Sequence, residues 1–285
     1  AQTARNRKVS DDLRIAASRH LFRVRVTIER AMVNRLTELY VKGSINEKDL
    51  SEGKMFGRSL KQGVSLRLPL LSCNPTETCH DGCYAHDGLD ASKASIVRGC
   101  LNGALAELYG LGSSQNKERI AARLRLQVRT ACRQAIKEAR ESGWLRGPRI
   151  RLSHVGELPA YPEFTKVLAE MIIEEGGKRV TPVVYTRHPN AINLDTSKIV
   201  VNFTIDSSST ERKKWAPRGS RIVYSAWDGV IDDEAEVNFL EHHFLSHSKP
   251  RGKGPICPAT EVETEVRSCD ACRCDLCFKT PQFIP

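Results

Sequence analysis

Cys73, Cys79 and Cys83 share one short stretch, Cys73-Asn-Pro-Thr-Glu-Thr-Cys79-His-Asp-Gly-Cys83-Tyr84-Ala85. Cys257, Cys269, Cys272, Cys274 and Cys277 share a second stretch almost two hundred residues later. Eight of the ten cysteines therefore fall in two segments, a pattern that asks for a metal. Three thiols on one loop are an incomplete shell for tetrahedral zinc, but they suit an iron–sulfur cluster with one iron left open. An open iron can bind a substrate or cofactor directly. Zinc with His80 or His86 as fourth ligand is the alternative, and a fourth cysteine from the later segment would instead close the site. In that later segment Cys269-x2-Cys272 and Cys274-x2-Cys277 are two chelating pairs, for which an iron–sulfur cluster is the first choice and structural zinc the second.

Other residue types with chemical potential are weaker. His243 and His247 stand four apart on an expected helix and can share a face, although ordinary histidines are the plainer reading of both and of His242. Ser153 beside His154 makes no triad without a third group. The chain has no Gly-x4-Gly-Lys-Ser/Thr loop and no Gly-x-Gly-x-x-Gly fingerprint, so nucleotide triphosphate hydrolysis has no support.

The elements that must position the cysteines follow from periodicity. Leu13, Ala17, Leu21, Val24, Ile28, Met32, Leu36 and Leu39 recur every three or four residues and predict an amphipathic helix from Asp11 to about Val41. A second helix is expected over Ile45 to Lys61, capped by Ser44 with Glu47. Val64 to Ser72 reads as a strand leading straight into Cys73, with Pro69 marking an irregularity. Helices are expected over 91–109 and 117–141, the second turning Ile120, Leu124, Val128, Ala131, Ala135 and Ala139 inward. Cys100 and Cys132 lie in these helices and read as small buried hydrophobes.

From Gly147 onward short apolar runs alternate with helical stretches, giving strands at 149–155, 180–186, 199–205 and 221–227 and a helix at 164–175. Val/Ile-rich runs without polar alternation imply parallel strands covered on both faces, and with the strand before Cys73 they number about five. The expected fold is α/β, a partial or closed (β/α) barrel. In such a barrel the groups after each strand converge on one rim. These are the cysteine loop, then His154-Val-Gly156-Glu157, Tyr185-Thr-Arg187-His188, Asn202 to Asp206, and Ser225 to Asp228.

A formal net charge of +10 is concentrated in residues 1–45 and 116–151, which hold ten and eleven Lys/Arg against four and three Asp/Glu. Two basic segments point to a polyanionic partner, DNA or RNA, gripped in part by Arg119, Arg123 and Arg133; a solvated helical face is the alternative. No apolar run approaches 18 residues and the first twelve residues are polar and basic, so no membrane span and no secretory signal are expected, and the chain reads as cytoplasmic.

A cysteine triplet ending Cys-Tyr-Ala after the first strand of an α/β barrel, with Gly-Glu after the second, resembles the radical S-adenosylmethionine (SAM) enzymes. It looks more closely like the phage and plasmid "gene product 88" family, through Cys73, Cys79 and Cys83-Tyr84-Ala85, then Val184-Tyr-Thr-Arg187, then Cys257-Pro258 and the cysteines at 269–277. The resemblance covers roughly residues 64–280. It implies that Cys73, Cys79 and Cys83 hold a [4Fe-4S] cluster, that Gly156-Glu157 receives the amino group of SAM, and that Asp206 or Asn202 lies near the ribose. Tyr84, His154 and Arg187 would line the cavity as catalytic residues. A second cluster would take Cys257, Cys269, Cys272 and Cys277, leaving Cys274 out. Radical SAM enzymes usually space these cysteines Cys-x3-Cys-x2-Cys, whereas here the intervals are five and three residues. Three regions are expected: basic helices at 1–63, an α/β core at 64–250, and a cysteine-rich segment at 251–285.

Overall fold

The computed structural model describes residues 11–51, 55–59, 63–81, 83, 85, 88–142, 147–177, 179–226, 230–240 and 255–257. Its centre is a sheet of seven strands in sequence order: β1 (Phe56–Ser59), β2 (Gly63–Leu66), β3 (Arg149–Arg151), β4 (Thr181–Thr186), β5 (Val200–Ile205), β6 (Arg221–Ala226) and β7 (Val237–Leu240). β1 runs antiparallel to β2, with Phe56 opposite Leu66 and Ser59 opposite Gly63. Every other ladder is parallel. Right-handed crossovers between strands that neighbour each other in sequence order all fall on one face of the sheet. This chain therefore has an outer face that carries its connections and an inner face that does not.

The outer face is the apolar one. Leu66, Ile150 and Leu152 pack there with α4 (Lys93–Leu111), α5 (Ser114–Glu141) and α6 (Pro162–Gly176), around fully buried Phe164, Leu105 and Ile120. Each such side chain contributes roughly 1.5–3 kcal/mol by leaving water. Among the described residues β5 to β7 have no long helix above them, and Phe203, Ile205 and Tyr224 are covered by residues of the 3-10 turns at Pro189–Asn193 and Thr210–Trp215. The rings of Tyr185 on β4 and Phe239 on β7 lean together across the two strands between them, their centres 6.1 Å apart.

Several expectations need correction. The helix expected over 45–61 is only α2 (Glu47–Leu50), because Asn46 and not Ser44 is its cap, closing a capping box with Asp49. Phe56–Ser59 then pairs with β2, so the expected boundary at residue 63 runs through a hairpin of the main sheet. The strand expected to run to Ser72 stops at Leu66, and Leu70–Ser72 forms a 3-10 turn behind Pro69. Strand β7 had no counterpart in the expected five.

The helix α1 (Asp11–Val41) has the expected bounds and a different buried face. Leu13, Val24 and Ile28 are exposed, while Ser18, Arg25, Glu29, Val33 and Tyr40 are buried. The stripe of apolar residues is thus displaced from the stripe that packs, because the helix lies against polar backbone of the cysteine loop. By contrast α5 buries Ile120, Leu124, Val128, Ala131, Ala135 and Ala139, with Cys132 beside them. No described helix is long and apolar enough to cross a membrane.

Candidate functional site: the cysteine loop and the strand ends

β2 ends at Leu66, Pro69 caps the start of the 3-10 turn that follows, and Cys73 occupies its C-terminal cap. The chain then enters α3 (Glu77–Asp81), in which Cys79 sits. Thr76 starts that helix. Its hydroxyl accepts the Cys79 backbone N–H at 3.1 Å and its carbonyl accepts that of His80 at 2.9 Å. The same hydroxyl donates to Asp206 Oδ2 and accepts from Arg187 Nη1 at 2.9 Å. A hydroxyl has one proton and two lone pairs, so this one is saturated and ties the loop to the ends of β4 and β5 at once. Asp206 is fully buried, receives Arg187 Nη1 at 3.0 Å, and has its other oxygen held by Ser208 and Ser209.

Gly156 and Glu157 follow β3. Gly156 adopts φ +76°, and a Cβ there would stand 2.6 Å from the Pro69 carbonyl and 2.7 Å from Ser72 Oγ. Only glycine lets the two segments touch. The Glu157 N–H donates to Ser72 Oγ at 2.9 Å. The Glu157 side chain, far from being a surface carboxylate, is buried. It accepts the Asn74 N–H at 3.4 Å, the Arg187 N–H at 3.1 Å and Thr186 Oγ1 at 2.7 Å. Burial raises its pKa, opposed by the Thr186 hydrogen bond, Arg187 and Asn74.

Helix α1 supplies the other clamp. Arg25, itself buried, bonds the Ala85 carbonyl two residues beyond Cys83. Its Nε donates to Glu29 at 2.8 Å, and the second Glu29 oxygen accepts the Leu71 N–H at 3.3 Å. Ser18 donates to the His80 carbonyl at 3.1 Å, and Arg19 pairs with Asp81 and Glu77. From the opposite side Arg212 donates to the carbonyls of Asn74 at 2.9 Å and Pro75 at 3.4 Å. Arg25, Glu29, Thr76 and Arg212 were absent from the sequence-based site. Their only signal was negative, Arg25 and Glu29 standing four apart where a surface pair would also stand.

The three cysteines are thiols, and the loop brings them within electrostatic reach of one another. Burial, then Glu157, then Cys83 and Cys79 push the Cys73 thiol well above its ordinary range. Burial and Cys79 push Cys83 up to about 12, against pulls from Arg25 and Arg187. Among the described residues no group of three or more His, Cys, Asp or Glu is gathered tightly enough to hold a metal ion as it stands. The donor set nonetheless fits one. It is all sulfur, and the two effects that keep these thiols protonated, low dielectric and mutual repulsion, are both reversed by a bound cation. His80, the alternative zinc ligand, packs edge-on against Phe22 at 4.6 Å. Its buried Nε2 has no hydrogen-bond partner among the described residues.

His154 Nε2 lies 3.2 Å from Asp90, which also pairs with Arg67. Burial, before any charge, lowers the His154 pKa. Asn202 sits four residues before Asp206 on β5 and accepts Arg221 Nη1 at 3.2 Å, farther down the sheet than the loops. Cys257 is buried beside Val237, Tyr185 and Phe239, its N–H donating to Asn238 at 2.8 Å. On α5, Arg119 pairs with Glu47, Arg123 donates to Ser51 at 2.6 Å, and Arg133 is exposed. Tyr84, His86, Trp227, Asp228, His242, His243, His247, Pro258, Cys269, Cys272, Cys274 and Cys277 lie outside the described residues. Comparison with family models, curated proteins and solved structures returned no match for this chain.

Proposed function

We propose that the chain is an iron–sulfur protein of radical-SAM-like type, as the resemblance to the phage and plasmid family implies. Cys73, Cys79 and Cys83 would hold a [4Fe-4S] cluster. The observation that carries this reading is the convergence of three thiols on a loop at the carboxyl edge of a parallel sheet, fastened there by buried charge. Such a cluster, when bound, supplies one-electron reduction and an open iron for a ligand such as SAM. The chain's own residues fix the loop: Glu157 and Arg212 hold the backbone at 74–75, Arg25 holds it at 85, and Arg187 with Asp206 holds Thr76. Glu157 and Asp206, with Gly156 and Asn202, are the groups the resemblance assigns to SAM. His154, positioned by Asp90, is the neutral imidazole available to move a proton. Cys257 with Cys269, Cys272 and Cys277 would make a second site, and the acidic partner of the basic helices would be nucleic acid.

Zinc is the second reading, favoured by the unpartnered buried Nε2 of His80 beside Cys79. A colourless zinc protein would bind DNA or RNA without catalysis. Anaerobic reconstitution with iron and sulfide separates the two. The iron–sulfur reading expects a broad brown absorbance, about four irons per cluster and 5′-deoxyadenosine from SAM. Zinc with no such absorbance overturns it, and iron without SAM cleavage removes the enzymatic half.

A further inference from the structure

The inner face of the sheet mixes polar residues with Val183, Val200, Val223 and Val237. Arg149, Arg151, Asn202, Arg221 and Ser225 all occupy it, alternating along their strands with the apolar residues that pack under the helices. Two of them form a row with Tyr185. Asn202 is in register with Tyr185 on one side and with Arg221 on the other. Arg151 stands opposite Val183, one inward position before Tyr185, and its guanidinium carbon lies 4.7 Å from the centre of the Tyr185 ring.

The arginines of this face differ in what holds them. Arg67 is paired with Asp90, and Arg221 with Asn202 and, at 3.5 Å, Glu236. Arg151 Nε donates to the Ser153 carbonyl at 2.7 Å. Among the described residues its two terminal nitrogens meet no acceptor and it makes no ion pair. A guanidinium stacked on a ring and pinned through Nε has its outer edge fixed in direction, which is the arrangement that receives the two oxygens of a phosphate or carboxylate. Phe239, 6.1 Å from Tyr185, stands as an apolar wall beside it.

We infer that this inner face is a subsite for a small ligand carrying an oxyanion next to a planar ring, with Arg151 anchoring the oxyanion and Tyr185 and Phe239 bordering the ring. The inference goes beyond the reading of the cysteine loop and does not depend on it, since no cysteine of that loop takes part; Cys257 packs against the same two rings.

Isothermal titration calorimetry of the full chain with phenyl phosphate, benzoate and inorganic phosphate tests it. Phenyl phosphate or benzoate should bind saturably, the tighter of the two naming the oxyanion, and inorganic phosphate should bind more weakly than phenyl phosphate. Arg151→Gln should weaken the tighter probe about tenfold or more, while Arg151→Lys, keeping charge without the fork, should fall between. Far-UV circular dichroism confirms that each variant is folded; should Arg151→Gln not fold, Arg151→Lys carries the comparison. Absence of saturable binding by both aromatic probes, or equal affinity in wild type and the folded variants, overturns the inference. Iron content is read separately, so such a failure leaves the cysteine reading standing.

Discussion

Arg187 Nη1 lies 3.0 Å from Asp206 Oδ2, and the two side chains join the end of β4 to the end of β5 around Thr76 of the cysteine loop. Both are largely buried, so each is the other's compensation for lost solvation. Arg187→Leu and Asp206→Leu should each destabilise by about 3–5 kcal/mol, because each strands a buried charge. The double variant should cost far less than the two losses combined. Urea unfolding of the four proteins measures the coupling, and additive losses would show that the pair does not act as a unit.

Gly156→Ala imposes two penalties. A residue with a Cβ at φ +76° is strained by about 1–3 kcal/mol, and the new methyl meets the Pro69 carbonyl, adding a similar overpacking term. The urea midpoint should fall steeply. The same substitution at exposed Gly110, whose Cβ would meet nothing within 4 Å, is the control.

Glu29 gives a pH dependence with a definite sign. Burial raises its folded pKa above the ordinary 4.5 despite the Arg25 hydrogen bond. Its contribution to stability is therefore complete below 4.5 and is lost as pH rises through the raised folded value. Glu29→Gln should flatten that part of the stability profile, leaving the variant relatively better off at neutral pH than at pH 4. Parallel curves for the two proteins across this range would contradict the assignment.

The cysteines should divide into two classes. Serine at Cys73, Cys79 or Cys83 should each remove the iron of the first cluster. Alanine at Cys100 or Cys132, both buried in apolar packing, should leave iron content unchanged and cost about 1 kcal/mol each. Metal analysis and denaturation on the same samples separate ligand from core.

For the nucleic-acid reading, Arg133 is the informative residue. It is exposed, whereas Arg119 and Arg123 already engage Glu47 and Ser51. Arg133→Ala should lower DNA or RNA affinity and reduce the slope of log affinity against log salt by about one. Arg119→Ala should change both less. Affinity that ignores salt would remove this partner.

Local order is what the linear chain determined. Short Val/Ile-rich runs and helical period located the strands ending at Thr186 and Ile205 and the inward face of α5, because burial of apolar atoms sets those patterns directly. Cysteine spacing likewise marked the loop at 73–83 before any fold was in view. Tertiary structure decided the rest. It made α1 present Arg25 and Glu29 to the loop in place of Leu13, Val24 and Ile28, buried Glu157, and gave Thr76 three partners from three segments. Those relationships join residues up to 130 positions apart through hydrogen bonds between polar groups. Periodicity records only which residues leave water, and a polar residue that leaves water by finding a distant partner reads, in one dimension, like a polar residue that never left.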